Sequence, residues 1–330
     1  MSIDIYHDIA AAYNAAASKA PGLKARFDAA GFDPAKISSL ADLSRLPVMK
    51  KEELLKLQRA KPPFGGFLAA DLWDVARIYV SPGPIFEPAL PGGGGHGLDL
   101  LFRAAGVGRG DIILNTWMYH LVPAGLLFDE AAHAAGATVI PGGVGNTELQ
   151  AQIIVEAGAT AICASTAFFL ALAETVIKTY GRDAWKVKAA FLGGEMGDWM
   201  SKRRRIEADY GVSTWAAYAT ADLGLVAYED GREGYVVHPD RIVQICDPVS
   251  GAPTAHGEPG EVVGHDGADG VALAIIGLLA EEDEVGVLAP QRLRERVAGR
   301  RDIRSGQRVV AQVDRAVGAE RHGLVERADG

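Results

Sequence analysis

From residue 98 onward the apolar positions switch repeatedly between two periods. Stretches of helical spacing, LDLLFRAAG, PAGLLFDEAAHAAG, NTELQAQIIVEAG, AFFLALAETVIKTYG and GDWMSKRRRIEADYG, alternate with short apolar runs of strand type, DIILNTWMYH, ATVIPGG, ATAICAST, VKAAFLGGE and VSTWAAYAT. Helices and strands alternating in this way predict right-handed βαβ crossovers and an α/β fold built on a largely parallel, multi-stranded sheet. The units share no common motif, so they are not solenoid repeats. In open α/β sheets ligands sit beyond the carboxyl ends of the strands. Ser81-Pro82-Gly83, Tyr119-His120, Pro141-Gly142-Gly143, Gly193-Gly194-Glu195 and Tyr218 to Asp222 are therefore expected to converge on one cleft.

The flanks have a different pattern. Residues 1–62 predict an N-terminal helical segment, including a short amphipathic helix over KKEELL, closed by the breakers Pro62-Pro63-Phe64-Gly65-Gly66. Residues 63–228 hold the α/β core, which opens on a short strand at Arg77 to Val80. Residues 229–263 carry the short runs YVVH, RIVQIC and GEVV split by turns, which predict a small antiparallel β meander. Over 264–330 there is no aromatic residue, and no lysine follows Lys202, so this tail is expected to be atypical and poorly packed.

Composition adds limits. Nearly half of the 330 residues are apolar, at 48%, which is ample for a large core. The net charge is −9, which argues against nucleic acid or an anionic membrane as the main partner. The two cysteines, Cys163 and Cys246, lie far apart with no metal-type spacing. The N-terminus carries Asp4 and Asp8 where a secretory leader would be basic, and no apolar run approaches a membrane span. The expectation is a cytoplasmic, reducing location.

The candidate chemistry gathers at Trp215-Ala216-Ala217-Tyr218-Ala219-Thr220-Ala221-Asp222-Leu223-Gly224. An aromatic face can stack on a base, a hydroxyl can hold a phosphate oxygen, and a carboxylate can hold Mg²⁺ or a ribose hydroxyl. The bland alternative is a buried Tyr and an exposed loop Asp. The run Gly92 to Gly97 lacks both the P-loop ending and the dinucleotide spacing, so it reads as a surface connection. The basic run Lys202-Arg203-Arg204-Arg205 reads as a solvated helix face.

In order and spacing, several segments together resemble the phenylacetate–coenzyme A ligase-like branch of the adenylate-forming enzymes. They are Leu46-Pro47 with Lys50-Lys51-Glu52, Ser81-Pro82-Gly83, Tyr119-His120 with Gly125, Gly145-Asn146-Thr147-Glu148, Gly193-Gly194-Glu195, Tyr218-Ala219-Thr220-Ala221-Asp222 and Gly257-Glu258-Pro259-Gly260-Glu261. The resemblance implies the fold of the family's N-terminal domain. It also implies activation of an aryl or arylacetic carboxylate by Mg·ATP to an acyl-adenylate, then transfer to coenzyme A. Carried over by motif, Tyr218 would stack on adenine, Ala219 would border the nucleotide, Thr220 would hold the α-phosphate, and Asp222 would ligate Mg²⁺; Thr220 and Asp222 would be catalytic. Gly193, Gly194 and Glu195 would line adenine and ribose, and Ser81 and Gly83 would serve the phosphate loop. Tyr119 and His120 would border the carboxylate, with His120 catalytic, and strand order puts the expected acid pocket beside them and Gly142 and Gly143. Expected partners are the acid, ATP/AMP and coenzyme A, with a homodimer as the expected assembly.

Three features depart from the family pattern. The phosphate loop reads Ser81-Pro82-Gly83-Pro84-Ile85-Phe86-Glu87-Pro88, with Glu87 where the family carries Lys. The ribose-binding Gly-Asp element has no clear match, and no later lysine stands for the catalytic Lys of the family's mobile C-terminal domain. The alternative expectation is thus a degenerate homologue that binds nucleotide or acyl group without turnover.

Overall fold

The computed structural model describes residues 5–46, 48–91, 97–193, 199–220, 223–232, 234–247, 250–255, 260–266, 278–279 and 293–294. The expectation of a poorly packed tail falls almost entirely outside the described residues.

The chain begins with four helices, α1 (Ile5–Lys19), α2 (Pro21–Ala30), α3 (Leu40–Leu43) and α4 (Lys51–Ala60). Local signals set their limits. α2 starts on Pro21, whose fixed φ suits a first helical position, and stops at Gly31 in the left-handed conformation. Ser39 caps α3 by accepting from the Asp42 N–H. Tyr13, Leu23, Phe27, Leu43, Met49 and Leu54 bury the inner faces in one core, which Ile85 joins. Ile85 belongs to a hairpin of β1 (Arg77–Ser81) and β2 (Ile85–Ala89). β2 is absent from the sequence reading because Pro84 and Pro88 break its pattern; Pro88 pairs with Ile78 in this two-stranded ribbon, where a missing N–H is tolerated. The buried Gln58 of α4 imitates a strand neighbour. Its amide donates to the Phe86 carbonyl and accepts the Phe86 N–H, both at 2.9 Å.

The central layer follows the predicted alternation: α5 (Asp99–Ala104), β3 (Ile112–Asn115), α6 (Ala124–Ala135), β4 (Thr138–Pro141), α7 (Thr147–Glu156), β5 (Ala161–Ser165), α8 (Thr166–Tyr180), β6 (Ala189–Gly193), α9 (Trp199–Tyr210) and β7 (Ser213–Trp215). The five strands are all parallel and lie in the order β4-β3-β5-β6-β7. Along β5, Ala161 and Cys163 enter the core shared with α5 and α6, while Ile162 and Ala164 enter the core shared with α7, α8 and Ile206 of α9. Burial on both faces explains why these strands read as continuous apolar runs. The chain steps outward from β3 to β4, then back across β3 to β5. That reversal puts a topological switch point between β3 and β5, where doubly wound sheets open a ligand crevice beyond the strand ends.

The run VSTWAAYAT, predicted as one strand, is divided. β7 ends at Trp215, and β8 (Ala217–Thr220) belongs to a second sheet with β9 (Gly224–Tyr228), β10 (Tyr235–Val237) and, in the order β14-β10-β9-β8, the two-residue β14 (Leu293–Arg294). Glu229 makes the break. Its carboxylate accepts the Ala216 N–H at 2.8 Å, and its own N–H donates to the Ala216 carbonyl at 3.2 Å. Arg203 pairs with Glu229 and donates to the Thr214 carbonyl, while Glu207 accepts from the Thr214 N–H at 3.1 Å and hydroxyl at 2.6 Å. Only part of the basic run is therefore a solvated face, because Arg203 is largely buried in this corner. The meander is a third sheet of β11 (Arg241–Cys246), β12 (Glu261–Asp266) and the two-residue β13 (Leu278–Leu279). Because β9 pairs with β10, the second sheet runs from the region 63–228 into 229–263.

Candidate functional site

Asn115, 1% exposed, organises the carboxyl edge of the parallel sheet at the switch point. Its side-chain amide donates to the Tyr119 hydroxyl and to the Gly125 carbonyl, each at 2.8 Å. Its Oδ1 accepts the Trp117 N–H at 3.2 Å, and its main-chain carbonyl accepts the Gly143 N–H at 3.0 Å. One buried side chain thus ties the segment after β3 to the start of α6, and its backbone ties β3 to the loop after β4. The predicted strand through Tyr119-His120 ends at Asn115; the next residues form an irregular loop. Trp117 reaches across β5 to the end of β6, where a Cβ placed on Gly193 would lie 3.5 Å from its ring.

Tyr119 is fixed at its polar end. Its hydroxyl donates to Asp129 of α6 at 2.8 Å while it accepts from Asn115. Burial, followed by the bond to the Asp129 carboxylate, pushes the phenol far above its ordinary range, so it stays protonated. The hydroxyl is already committed to the protein; what Tyr119 offers a ligand is its ring. Gly125 permits this packing, because a Cβ there would come within 2.9 Å of the Tyr119 ring. His120 is exposed beside Leu121, which is 70% exposed, and Met118 is 40% exposed on the same loop.

The loop after β4 is drawn in from below. Gln150 of α7 is 2% exposed, and its Nε2 donates to the carbonyls of Gly143 at 2.9 Å and Gly145 at 2.7 Å, with Gly142 at 3.4 Å. Three main-chain carbonyls converging on one amide fix the shape of 142–145, where Gly142 and Gly143 stand half-buried.

The hairpin joins the same edge, because the Val80 N–H donates to the Leu121 carbonyl at 2.9 Å. Ser81 closes β1, and its hydroxyl donates to Glu87 at 2.5 Å, with both residues buried. Glu87, which departs from the family's Lys, therefore turns into the protein and occupies the Ser81 hydroxyl. Gly83 sits exposed at the turn.

Tyr218, Ala219 and Thr220 lie within β8, not in a loop beyond a strand. Tyr218 is 6% exposed and packs with Leu223, Val226 and Tyr235; burial pushes its phenol up to about 12. Little of its ring is left for a base to stack on, because this strand of the second sheet turns it into a core. Thr220 is half-buried, and its hydroxyl oxygen accepts the Leu223 N–H at 3.0 Å. Gly194, Glu195, Ala221 and Asp222 lie outside the described residues, as does most of the Gly-Glu-Pro-Gly turn. Of the glycine run only Gly97 is described, and a Cβ there would collide with the His238 ring, so it is a close contact and not merely a loose connection.

The structure thus brings Ser81, Tyr119, His120, Gly142, Gly143 and Gly193 to one edge, and puts Tyr218 to Thr220 on the second sheet. Sequence reasoning missed Asn115, Trp117 and Gln150 as framing residues. Their signals were present: an Asn ending an apolar run, and a Gln three residues into a helix that follows a glycine-rich turn. Among the described residues no group of three or more His, Cys, Asp or Glu side chains could hold a metal ion, and no helix is long and apolar enough to cross a membrane.

No family model matches the chain. It is 31% identical over 258 residues to a phenylacetate–coenzyme A ligase of Escherichia coli (strain K12), a match covering 74% of this chain and 57% of that protein. It is 29% identical over 259 residues to the phenylacetate–coenzyme A ligase of Thermus thermophilus, with the same coverage of 74% and 57%. The chain therefore spans little more than half the length of these relatives. Among solved structures, an open conformation of 2-hydroxyisobutyryl-CoA ligase in complex with 2-HIB-AMP and CoA superposes with a TM-score of 0.76 at 20% identity, covering 83% of this chain and 63% of that one. The same ligase in its postadenylation state superposes with a TM-score of 0.75 at 21% identity, over 83% of this chain and 61% of that one. At such identities these superpositions establish the shared fold. Over the matched stretch this chain is thus a homologue of the phenylacetate–coenzyme A ligases, with the fold of the adenylate-forming coenzyme A ligases.

Proposed function

We propose that this chain binds ATP and a small aryl or arylacetic acid at the carboxyl edge of its parallel sheet and forms the acyl-adenylate, which coenzyme A then converts to a thioester. The observation that carries the reading is Trp117. Its segment is bonded to the proposed acid-side elements through Asn115, and its ring lies against Gly193, which the same reading assigns to the adenine side, so Trp117 links the two proposed halves of the site. In the first step a carboxylate oxygen attacks the α-phosphorus, and the bond to the pyrophosphate oxygen breaks. In the second the coenzyme A thiolate attacks the acyl carbon, and AMP leaves.

The ring of Tyr119, the exposed loop around His120 and the Gln150-held loop at Gly142 and Gly143 supply a fixed, partly apolar wall for the acid, so the carboxylate is positioned and not searching. Thr220 keeps its hydroxyl hydrogen for an α-phosphate oxygen, because its oxygen already accepts from Leu223. Gly193 lets the nucleotide approach the backbone beside Trp117, with Gly194 and Glu195 next in the chain. Mg²⁺ needs only one or two carboxylates when phosphates complete its shell; Asp222 would supply one, and the ion would neutralise phosphate charge. Cys163 and Cys246 are buried and form no disulfide, in keeping with a reducing cytoplasm.

The second reading, binding without turnover, is favoured by the Ser81–Glu87 bond, which puts a carboxylate and an occupied hydroxyl at the phosphate hairpin. ATP–pyrophosphate exchange over a panel of carboxylic acids, phenylacetate included, decides between them. Acid-dependent exchange is the expected result. AMP binding without exchange for any acid would leave the second reading standing, and absence of both would overturn the two together.

A further inference from the structure

Arg241 opens β11 and is only 4% exposed. Its Nη2 and Nε donate to one main-chain carbonyl, that of Leu223, at 2.7 and 3.3 Å. Leu223 lies at the turn between β8 and β9, and its N–H donates to the Thr220 hydroxyl oxygen at 3.0 Å. The Leu223 side chain, 5% exposed, presses on β12, where a Cβ on Gly264 would come 2.5 Å from its Cδ1. Arg241 is itself placed by its N–H, which donates to the His238 carbonyl at 3.1 Å. The meander thus grips the chain at Leu223, directly after the Tyr218-to-Asp222 motif.

The chemistry of the grip is specific. A planar guanidinium can present two N–H groups to one oxygen, which the point charge of a lysine does not reproduce. A guanidinium taken this far out of water is held by charge-assisted hydrogen bonds, and these fix the carbonyl they meet. With the Leu223 carbonyl held and its side chain seated on β12, the direction of its N–H is set, and so is the Thr220 oxygen that accepts it.

We propose that Arg241 is a positioning residue for nucleotide binding: through Leu223 it orients the Thr220 hydroxyl toward a phosphate oxygen of the bound nucleotide. The proposal rests on the reading that Thr220 faces the phosphates, and its test has an arm independent of that reading. The full chain and its Arg241→Met, Arg241→Lys, Thr220→Val and Arg241→Met/Thr220→Val variants are titrated with AMP by calorimetry, with thermal melts to verify folding. Arg241→Met and Thr220→Val are each expected to weaken AMP binding about tenfold, the size of one phosphate hydrogen bond. The double variant should be no weaker than either single one, because both changes remove the same bond. Arg241→Lys should fall between, and it serves as the readout if the Met variant does not fold. Multiplied losses in the double variant would overturn the proposal. Hydrogen exchange on peptides spanning 217–226, without nucleotide, should be about tenfold faster in Arg241→Met with exchange elsewhere unchanged. Unchanged exchange there would overturn the proposal whether or not AMP binds. If the unmodified chain fails to bind AMP, the nucleotide reading falls and this proposal with it, while faster exchange would then show only that Arg241 orders the turn.

Discussion

Acidification should weaken the fold through one histidine. His265 of β12 is 2% exposed. Its Nε2 lies 2.8 Å from the Gln244 Oε1, and the Gln244 amide nitrogen donates to the Ser44 hydroxyl at 2.7 Å. Gln244 therefore presents an acceptor, and the ring carries its proton on Nε2. The other ring nitrogen, Nδ1, is left to accept from the Tyr13 hydroxyl at 3.1 Å. This neutral relay links α1 and the end of α3 to the meander. Burial lowers the His265 pKa from 6.5 to about 4. Between those values the unfolded chain binds the proton and the folded chain does not. Stability is thus full above pH 6.5, falls as the pH drops toward 4, and levels off below. A shift of that size corresponds to about 3 kcal/mol in total, with a slope near pH 5 of about 1.2 kcal/mol per pH unit. Urea unfolding of the full chain and of His265→Gln from pH 4 to 7 measures it. The variant should start about 1–3 kcal/mol less stable, because the buried bond between the Tyr13 hydroxyl and the imidazole is lost, and the gap should narrow as the pH falls. Curves that stay parallel across this range would refute the reasoning, since carboxylates titrate equally in both proteins.

Three further outcomes are expected. Gln150→Met should release the three carbonyls of 142–145 and raise the KM for the acid about tenfold while leaving the KM for ATP within twofold, measured by pyrophosphate exchange; equal shifts in both would contradict an acid-side role. Arg203→Met should destabilise the chain by about 3 kcal/mol in thermal or urea unfolding, because it strands the buried Glu229 carboxylate, and Arg203→Met/Glu229→Gln should recover part of that loss. Tyr235→Phe should leave stability unchanged or raise it by about 1 kcal/mol, because the fully buried Tyr235 hydroxyl has no hydrogen-bond partner among the described residues; a large loss would reveal a hidden partner.

Local pattern determined the elements. The alternation from α5 to β7 follows from apolar spacing and from breakers such as Gly136, which closes α6 in the left-handed conformation, and the parallel sheet follows from that alternation. Motif order was enough to identify the family, because Tyr119, Gly145, Gly193 and Thr220 keep their places along the chain whatever their surroundings. Tertiary contacts decided what those residues can do. The division of VSTWAAYAT at Ala216 depends on Glu229, thirteen residues later, and on Arg203 from α9. Neither leaves a trace in the period of the strand, so the sequence reads one strand where there are two, and it misses that Tyr218 is turned into a core. Tyr119 looked free to meet a substrate, but Asp129 and Asn115 hold its hydroxyl. Arg241 was an unremarked charge in a short strand until folding set it against Leu223. Periodicity records which face of an element is apolar. The partner a polar atom finds depends on which distant segments fold against it, and no local pattern encodes that.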